Sequence, residues 1–150
     1  MFWTINLINL KKIFISSDHA GYKLKELIKL YLEKKKIKYT DLGPINDDRV
    51  DYPDYAHKVA KKVKINNKDV GILVCGSGMG MNITANRHKN IRAAQCFNIK
   101  STKLSRLHND ANVITLGSRL LTKKNAINCI NVFLKTKFEG GRHKKRINKI

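Results

Sequence analysis

Several features that would declare a role outright are missing from this sequence. No apolar run approaches the ~18 residues that a membrane-spanning helix needs, so no membrane partner is expected. The three cysteines, Cys75, Cys96 and Cys129, form no CxxC pair and no metal-ligand spacing. Their odd number argues against a disulfide framework, and a reducing cytoplasm suits them best. Acidic residues are scarce, 11 against 31 lysines and arginines, giving a net charge of +20. Such an excess invites a nucleic-acid reading. The lysines, however, are spread along the chain without any RNA-reading aromatic motif, so no nucleic-acid partner is expected. Heavy use of Lys, Asn and Ile is the habit of AT-rich genomes, and part of the charge can attract anionic substrates. Nucleotide fingerprints are absent too. Gly76, Gly78 and Gly80 are not followed by the Lys-Ser/Thr of a P-loop, and no GxGxxG follows the first strand.

What is present reads as one α/β domain. The opening Met1–Leu10 is apolar but short, without the basic start or cleavage site of a signal peptide. Residues 1–11 are therefore taken as an extension or extra packing segment, and residues 12–150 as a single domain. Short apolar runs at 12–16, 37–42, 70–74, 91–96 and 113–116 predict five strands. Amphipathic spacing predicts helices from Tyr22 to Lys35, from Pro53 through Val63, from the glycine loop to about His88, from Ser101 to Leu107, and after an N-cap at Thr122. Strands alternating with helices predict a three-layer α/β/α sandwich around a parallel, Rossmann-like sheet. The expected strand order is 2-1-3-4-5. Parallel sheets bind ligands at the C-terminal strand ends, beside the switch in strand order. That rule draws Asp18, His19, Cys75 and Ser77 towards one crevice.

The chemistry concentrates in Gly71-Ile-Leu-Val-Cys75-Gly-Ser77-Gly-Met79-Gly-Met81. A buried strand opening into a Gly-rich turn and a helix start makes a cradle of backbone N–H groups for anions. Cys75 at the strand end reads either as a small buried hydrophobe or as a proton-transfer thiol beside a helix N-terminus. Three alternating glycines exceed what one turn requires and predict a close approach of backbone to ligand. Asp18 reads as an N-cap for the next helix, and His19 beside it could reach an anion. His108 reads as a partner of a helix dipole or, with Asn109, as a proton-carrying pair. Arg142 and Arg146 would share a helix face, as a solvated tail or as a phosphate clamp.

Taken together, these segments resemble the sugar-phosphate isomerase family of the B-type ribose-5-phosphate isomerases and the galactose-6-phosphate isomerase subunits. The matching stretches are Ser17-Asp-His-Ala-Gly21, Asp51-Tyr-Pro-Asp-Tyr-Ala56, Cys75 to Gly80, Ala85-Asn-Arg87, Leu104 to Asp110, Leu116-Gly-Ser-Arg119 and Glu139-Gly-Gly-Arg-His143. The resemblance implies an aldose–ketose isomerase acting on ribose 5-phosphate through an enediolate, with no metal and no organic cofactor. It implies Cys75 as the base, Ser77 as its assistant, and His108 with Asp18 for ring opening. Backbone N–H groups from Gly76 through Gly78, Met79 and Gly80 would hold the reacting oxygens. Tyr52 and Asn109 would line the sugar, and His19, Arg119, Arg142 and Arg146 the phosphate. A homodimer, or a dimer of dimers, would complete the sites. Six-carbon aldose phosphates and a non-catalytic sugar-phosphate-binding module are the alternatives.

Overall fold

A computed structural model describes residues 12–150, so the apolar opening segment lies outside the described residues. Five parallel strands form one sheet: β1 (Ile13–Ser17), β2 (Thr40–Asp41), β3 (Val70–Cys75), β4 (Ala93–Gln95) and β5 (Val113–Gly117). Six helices accompany them: α1 (Tyr22–Lys34), α2 (Tyr52–Lys62), α3 (Met79–Ala85), α4 (Ile99–Asn109), α5 (Lys123–Lys135) and α6 (Arg142–Ile147).

The sheet order is β2-β1-β3-β5-β4, which corrects the expected 2-1-3-4-5. The reason lies in burial. Every residue of β5 is buried, whereas β4 is short and half-buried throughout. A strand that is buried throughout and mainly aliphatic belongs inside a parallel sheet, so β5 takes the place beside β3 and β4 the edge.

Alternation along the strands builds two core layers. Ile13, Ile15, Ile72, Val74, Ile114 and Leu116 face α1 and α5, meeting Ile28, Leu32, Ile130 and Phe133. Phe14, Leu73, Cys75 and Val113 face α2 and α3, meeting Ala56, Val59 and Met81. Each large aliphatic side chain buried this way contributes about 1.5–3 kcal/mol relative to exposure.

Element limits differ from the sequence reading where local chemistry intervenes. The second strand shrinks to two residues, because Ile37 turns into the core instead of pairing. The fourth strand shrinks to Ala93–Gln95, and the helix after the glycine loop stops at Ala85. The following helix starts earlier, at Ile99, because Asn98 and Ser101 cap it reciprocally. It also runs on through His108 and Asn109, and Asp110 ends it in the left-handed region at φ 44°. Thr122 is an N-cap as expected, its side chain accepting from Asn125 N–H at 3.1 Å. Asp18 is not the N-cap of α1. Gly21 holds that place, and the Asp18 carboxylate accepts the Gly21 N–H at 2.9 Å.

A buried ion network anchors the loop that leads to α2. The Lys25 ammonium, wholly buried, donates to Asp41 at 2.8 and 2.9 Å and to the Pro44 carbonyl at 2.9 Å. Burial pushes the Asp41 carboxyl up, but the Lys25 and Lys29 ammoniums and the Gly43 N–H outweigh it and hold the carboxyl below its ordinary value.

The turn between β1 and α1 is packed to the limit. A Cβ on Gly21 would lie 2.3 Å from the Val74 carbonyl oxygen. The Gly21 backbone itself is ordinary, at φ −91° and ψ −6°. Unfolded-state entropy alone would therefore make alanine stabilising by about 0.4–1 kcal/mol. The clash is with backbone and outweighs that gain, since overpacking costs about 1–3 kcal/mol. Gly21→Ala is accordingly expected to destabilise the fold by a net ~1 kcal/mol, read as a lowered urea midpoint of unfolding, with Lys23→Ala on the exposed face of α1 as control. An unchanged or raised midpoint would contradict the packing described.

Candidate active site

Where β1, β3 and β5 end, their loops close on one another. Asp18 N–H donates to the Val74 carbonyl at 3.1 Å, Ser118 N–H to the Cys75 carbonyl at 2.8 Å, and Arg119 N–H to the Gly76 carbonyl at 2.9 Å. The Ser118 hydroxyl reaches across to the Ala20 carbonyl at 2.8 Å. The insertion of β5 beside β3 is what carries Arg119 here. The resulting cleft, of about 380 Å³, is lined by Asp18, His19, Ala20, Tyr52, Cys75, Gly76, Ser77, Gly80, Arg119 and Leu120.

The glycine loop is shaped by conformation at one position and by close approach at the others. Gly78 adopts φ 78°, in the left-handed region, and sits against the backbone of Leu116 and Gly117. A Cβ on Gly80 would lie 2.6 Å from the Tyr52 ring, and one on Gly76 would lie 3.0 Å from the Arg119 guanidinium. Within the chain, then, these glycines admit its own side chains to the cleft.

Two loop N–H groups point at the reactive side chains. Gly78 N–H lies 3.1 Å from the Cys75 sulfur, and Met79 N–H donates to the Ser77 hydroxyl oxygen at 3.2 Å. A backbone dipole thus meets any charge on that sulfur, and the Ser77 O–H keeps its own proton to donate. Gln95, at the end of β4, donates its amide N–H to the Ser77 carbonyl at 2.6 Å. His19 lies with Nδ1 3.2 Å from the Val50 carbonyl and 3.3 Å from the Val50 N–H, in the loop that Lys25 anchors.

Four other expected residues lie elsewhere. His108 and Asn109 end α4, and Arg142 and Arg146 lie on α6; none lines this cleft. Gly78 and Met79 belong to the loop but not to the cleft wall. At the α4–α6 corner His108 stacks on His143, ring centroids 4.1 Å apart and planes within 15°. Glu139 stands 3.8 Å from His108 Nε2, His143 Nε2 and Arg142 Nη1. Desolvation, with the charges of His108 and Arg142, pushes the His143 imidazole below its ordinary value. The residues expected at one site therefore lie in two separate places on the chain. Sequence reasoning gave no role to Ala20, Leu120, Gln95, Glu139 or His143. Glu139 and His143 lie in a quoted motif, but for Gln95 only its place at a strand end gave a signal.

Residues 13–150 match the Ribose/Galactose Isomerase family. The chain belongs to this family. It is 40% identical over 141 residues to ribose-5-phosphate isomerase B of Escherichia coli, covering 94% of this chain and 95% of that protein. A solved ribose-5-phosphate isomerase B from Clostridium thermocellum superposes with a TM-score of 0.89 at 44% identity, covering 92% of this chain and 93% of that one. The Mycoplasma genitalium enzyme, solved with bound ribulose 5-phosphate, gives 0.88 at 45% identity, covering 93% and 94%.

The geometry separates the three thiols. All three thiols are buried, but Cys75, 4% exposed, also lines the cleft, whereas Cys96 and Cys129 do not, and burial pushes both of those thiols up. Brief treatment of the native protein with iodoacetamide, read by peptide mass spectrometry, is expected to label Cys75 well before the other two. Comparable labelling of Cys96 or Cys129 would contradict this placement.

Proposed function

We propose that this protein is a ribose-5-phosphate isomerase, interconverting ribose 5-phosphate and ribulose 5-phosphate with Cys75 as the proton-transfer base. The observation that carries the proposal is the placing of Cys75: a thiol on the cleft wall with a backbone N–H aimed at its sulfur and a hydroxyl two residues on. Proton abstraction next to a carbonyl needs a positioned base and a site for the developing oxyanion, and this wall offers both.

In the open-chain aldose, the Cys75 thiolate takes the proton from C2. The electron pair moves into a C1–C2 double bond, and the carbonyl oxygen on C1 becomes the enediolate oxygen. Delivery of the proton from the thiol to C1, with transfer of the O2 hydrogen to the C1 oxygen through the Ser77 hydroxyl, leaves a carbonyl at C2 and a hydroxyl on C1 and yields the ketose. Ser77 donates to a reacting oxygen, and the backbone of Gly76 to Gly80 surrounds the rest. Asp18 assists ring opening. Tyr52 flanks the sugar, and His19 and Arg119 face the phosphate.

The second set of residues completes the site in a homodimer. The α4–α6 corner of a second copy would bring its His108 and Asn109 to the sugar and its Arg142 and Arg146 to the phosphate. Exposed Met79 and Ile83 on α3, with Phe97 and Ile99 near the edge strand β4, give such a dimer an apolar surface to cover. The reaction calls on no metal or organic cofactor. Three unpaired cysteines and no helix, among the described residues, that could cross a membrane are in keeping with a cytoplasmic setting.

Cys75→Ala is expected to lower kcat by about 10²–10⁴ or more while ribose 5-phosphate still binds, measured by coupled assay and calorimetry. Retained turnover would refute the assignment of the base. A mixture of inactive Cys75→Ala and inactive His108→Asn chains, unfolded and refolded together, is expected to recover about a quarter of wild-type activity, because random pairing leaves one intact site in half of the dimers. No recovery would refute the shared site.

A further inference from the structure

Glu139 and His143 stand either side of two glycines whose role is conformational. Gly140 and Gly141 adopt φ 73° and 55°, and a Cβ on either would meet nothing within 4 Å. Their left-handed turn folds the Glu139 carboxylate back beside the His143 ring at the start of α6. Glu139 N–H donates to the Leu107 carbonyl at 3.1 Å, which fixes the same carboxylate next to His108 at the end of α4.

The outcome is a compact set of donors. One ligand atom each from His108, Glu139 and His143 lies within 4.8 Å of the others. The two imidazole Nε2 atoms both stand 3.8 Å from the same carboxylate oxygen. His143 is 4% exposed, yet its Nε2 has no hydrogen-bond partner among the described residues. A buried ring nitrogen without a partner is costly, since desolvation of a lone polar group is worth about 1–3 kcal/mol. That nitrogen faces the Glu139 oxygen beyond hydrogen-bond range, across a gap that an ion can bridge.

We propose that His108, Glu139 and His143 bind a divalent cation of the zinc class, and that occupancy inhibits the protein. Two imidazoles and a carboxylate form a three-ligand zinc set with a fourth position left for water. Bonds of about 2.0–2.2 Å to each donor would draw the 3.8 Å separations in by about half an ångström and would turn the half-exposed His108 ring out of its stack on His143, since the in-plane lone pairs of parallel rings do not converge on one ion. The donor set also selects among metals. Imidazole suits zinc, copper, nickel and cobalt, whereas magnesium and calcium require oxygen ligands. Arg142, 3.8 Å from the other Glu139 oxygen, and the net charge of +20 repel cations that are held by charge alone. Binding would engage the Nε2 lone pair of His108 and withdraw it from ring opening. The inhibition rests on the isomerase reading above; the binding does not.

Titration of the full-length protein with Co²⁺, in the absence of sugar, separates the two. The expected result is the visible spectrum of a four-coordinate cobalt site, without a near-ultraviolet thiolate band, displaced by Zn²⁺. Glu139→Gln and His143→Gln are each expected to weaken cobalt binding by about tenfold or more. His57→Gln, which alters the other close histidine pair (His57 Nδ1 to His88 Nε2, 2.6 Å), is expected to leave it unchanged. Glu139→Gln is exposed and isosteric, so it carries the test should His143→Gln not fold. Zn²⁺ is expected to inhibit isomerisation, a chelator to restore it, and Glu139→Gln to raise the half-inhibiting Zn²⁺ concentration about tenfold. The proposal is overturned if no four-coordinate cobalt spectrum develops, if a thiolate band appears and disappears with Cys75→Ser, or if Glu139→Gln binds cobalt as tightly as the wild type. Cobalt binding with the expected ligand dependence in a protein without isomerase activity would uphold the site and reject the functional reading.

Discussion

Everything at the ligand end of this molecule depends on how closely three backbone segments approach one another. Gly21 abuts the carbonyl of Val74, Gly117 abuts the carbonyl of Ser77, and Gly78 abuts the backbone of Leu116. No side chain fits in any of these contacts. The loops after β1, β3 and β5 are consequently held by their own main chains, and the side chains they carry are free to face the cleft. Asp18, Cys75, Ser77 and Arg119 are aimed by backbone geometry, the most rigid means a fold has of placing reactive groups.

The fourth wall of the cleft is made differently. The loop after β2 meets the others through the Gly43 carbonyl, which accepts the Ser17 N–H at 3.1 Å, and through Tyr52 against Gly80, and it is secured further by a buried charge. Lys25 brings no apolar surface to the core comparable with its neighbours, and a buried ion pair is weak evidence of stabilisation in itself. Its value lies in position. By binding Asp41 and the Pro44 carbonyl together it fixes the route of the loop that presents Val50 to His19 and leads into Tyr52. Removing the ammonium would leave Asp41 to Lys29 alone and the Pro44 carbonyl without its donor, and would loosen that route.

The architecture was legible in the sequence because β1, β3 and β5 are largely aliphatic runs and the longer helices α1, α2 and α5 have a one-sided apolar face. Strand order was not, since nothing local to Val113–Gly117 says which neighbour it will pair with. The hint was one of degree: the only polar side chain of that run is Thr115, while the run around Ala93–Gln95 carries Arg92 and Gln95. Capping explains the helix that began earlier than expected, where Asn98 pairs with a serine rather than with the Glu or Gln of the usual signature. Half of the candidate site followed from the rule that parallel sheets bind at their strand ends. The remainder, His108 with Asn109 and Arg142 with Arg146, could be read from the residues as a proton-carrying pair and a phosphate clamp, but only the family resemblance joined them to the same site. Its place at a separate corner reflects tertiary packing of α4 on α6, which no spacing in the chain encodes. Glu139 and His143 went unassigned because a histidine stack and a carboxylate between two rings arise from a left-handed glycine turn, not from a motif.

The position of β5 also bears on how the molecule comes into being. A chain emerging from synthesis produces β3 long before β5, and until β5 arrives the wholly buried edge of β3 has no partner on that side. Its unpaired N–H and C=O groups and its aliphatic face are then a template for another chain. The sheet closes only when a late segment inserts between two earlier ones, a non-local event of the kind that makes parallel folds slow to form. A high like charge along the chain acts against such pairing by holding unfinished copies apart.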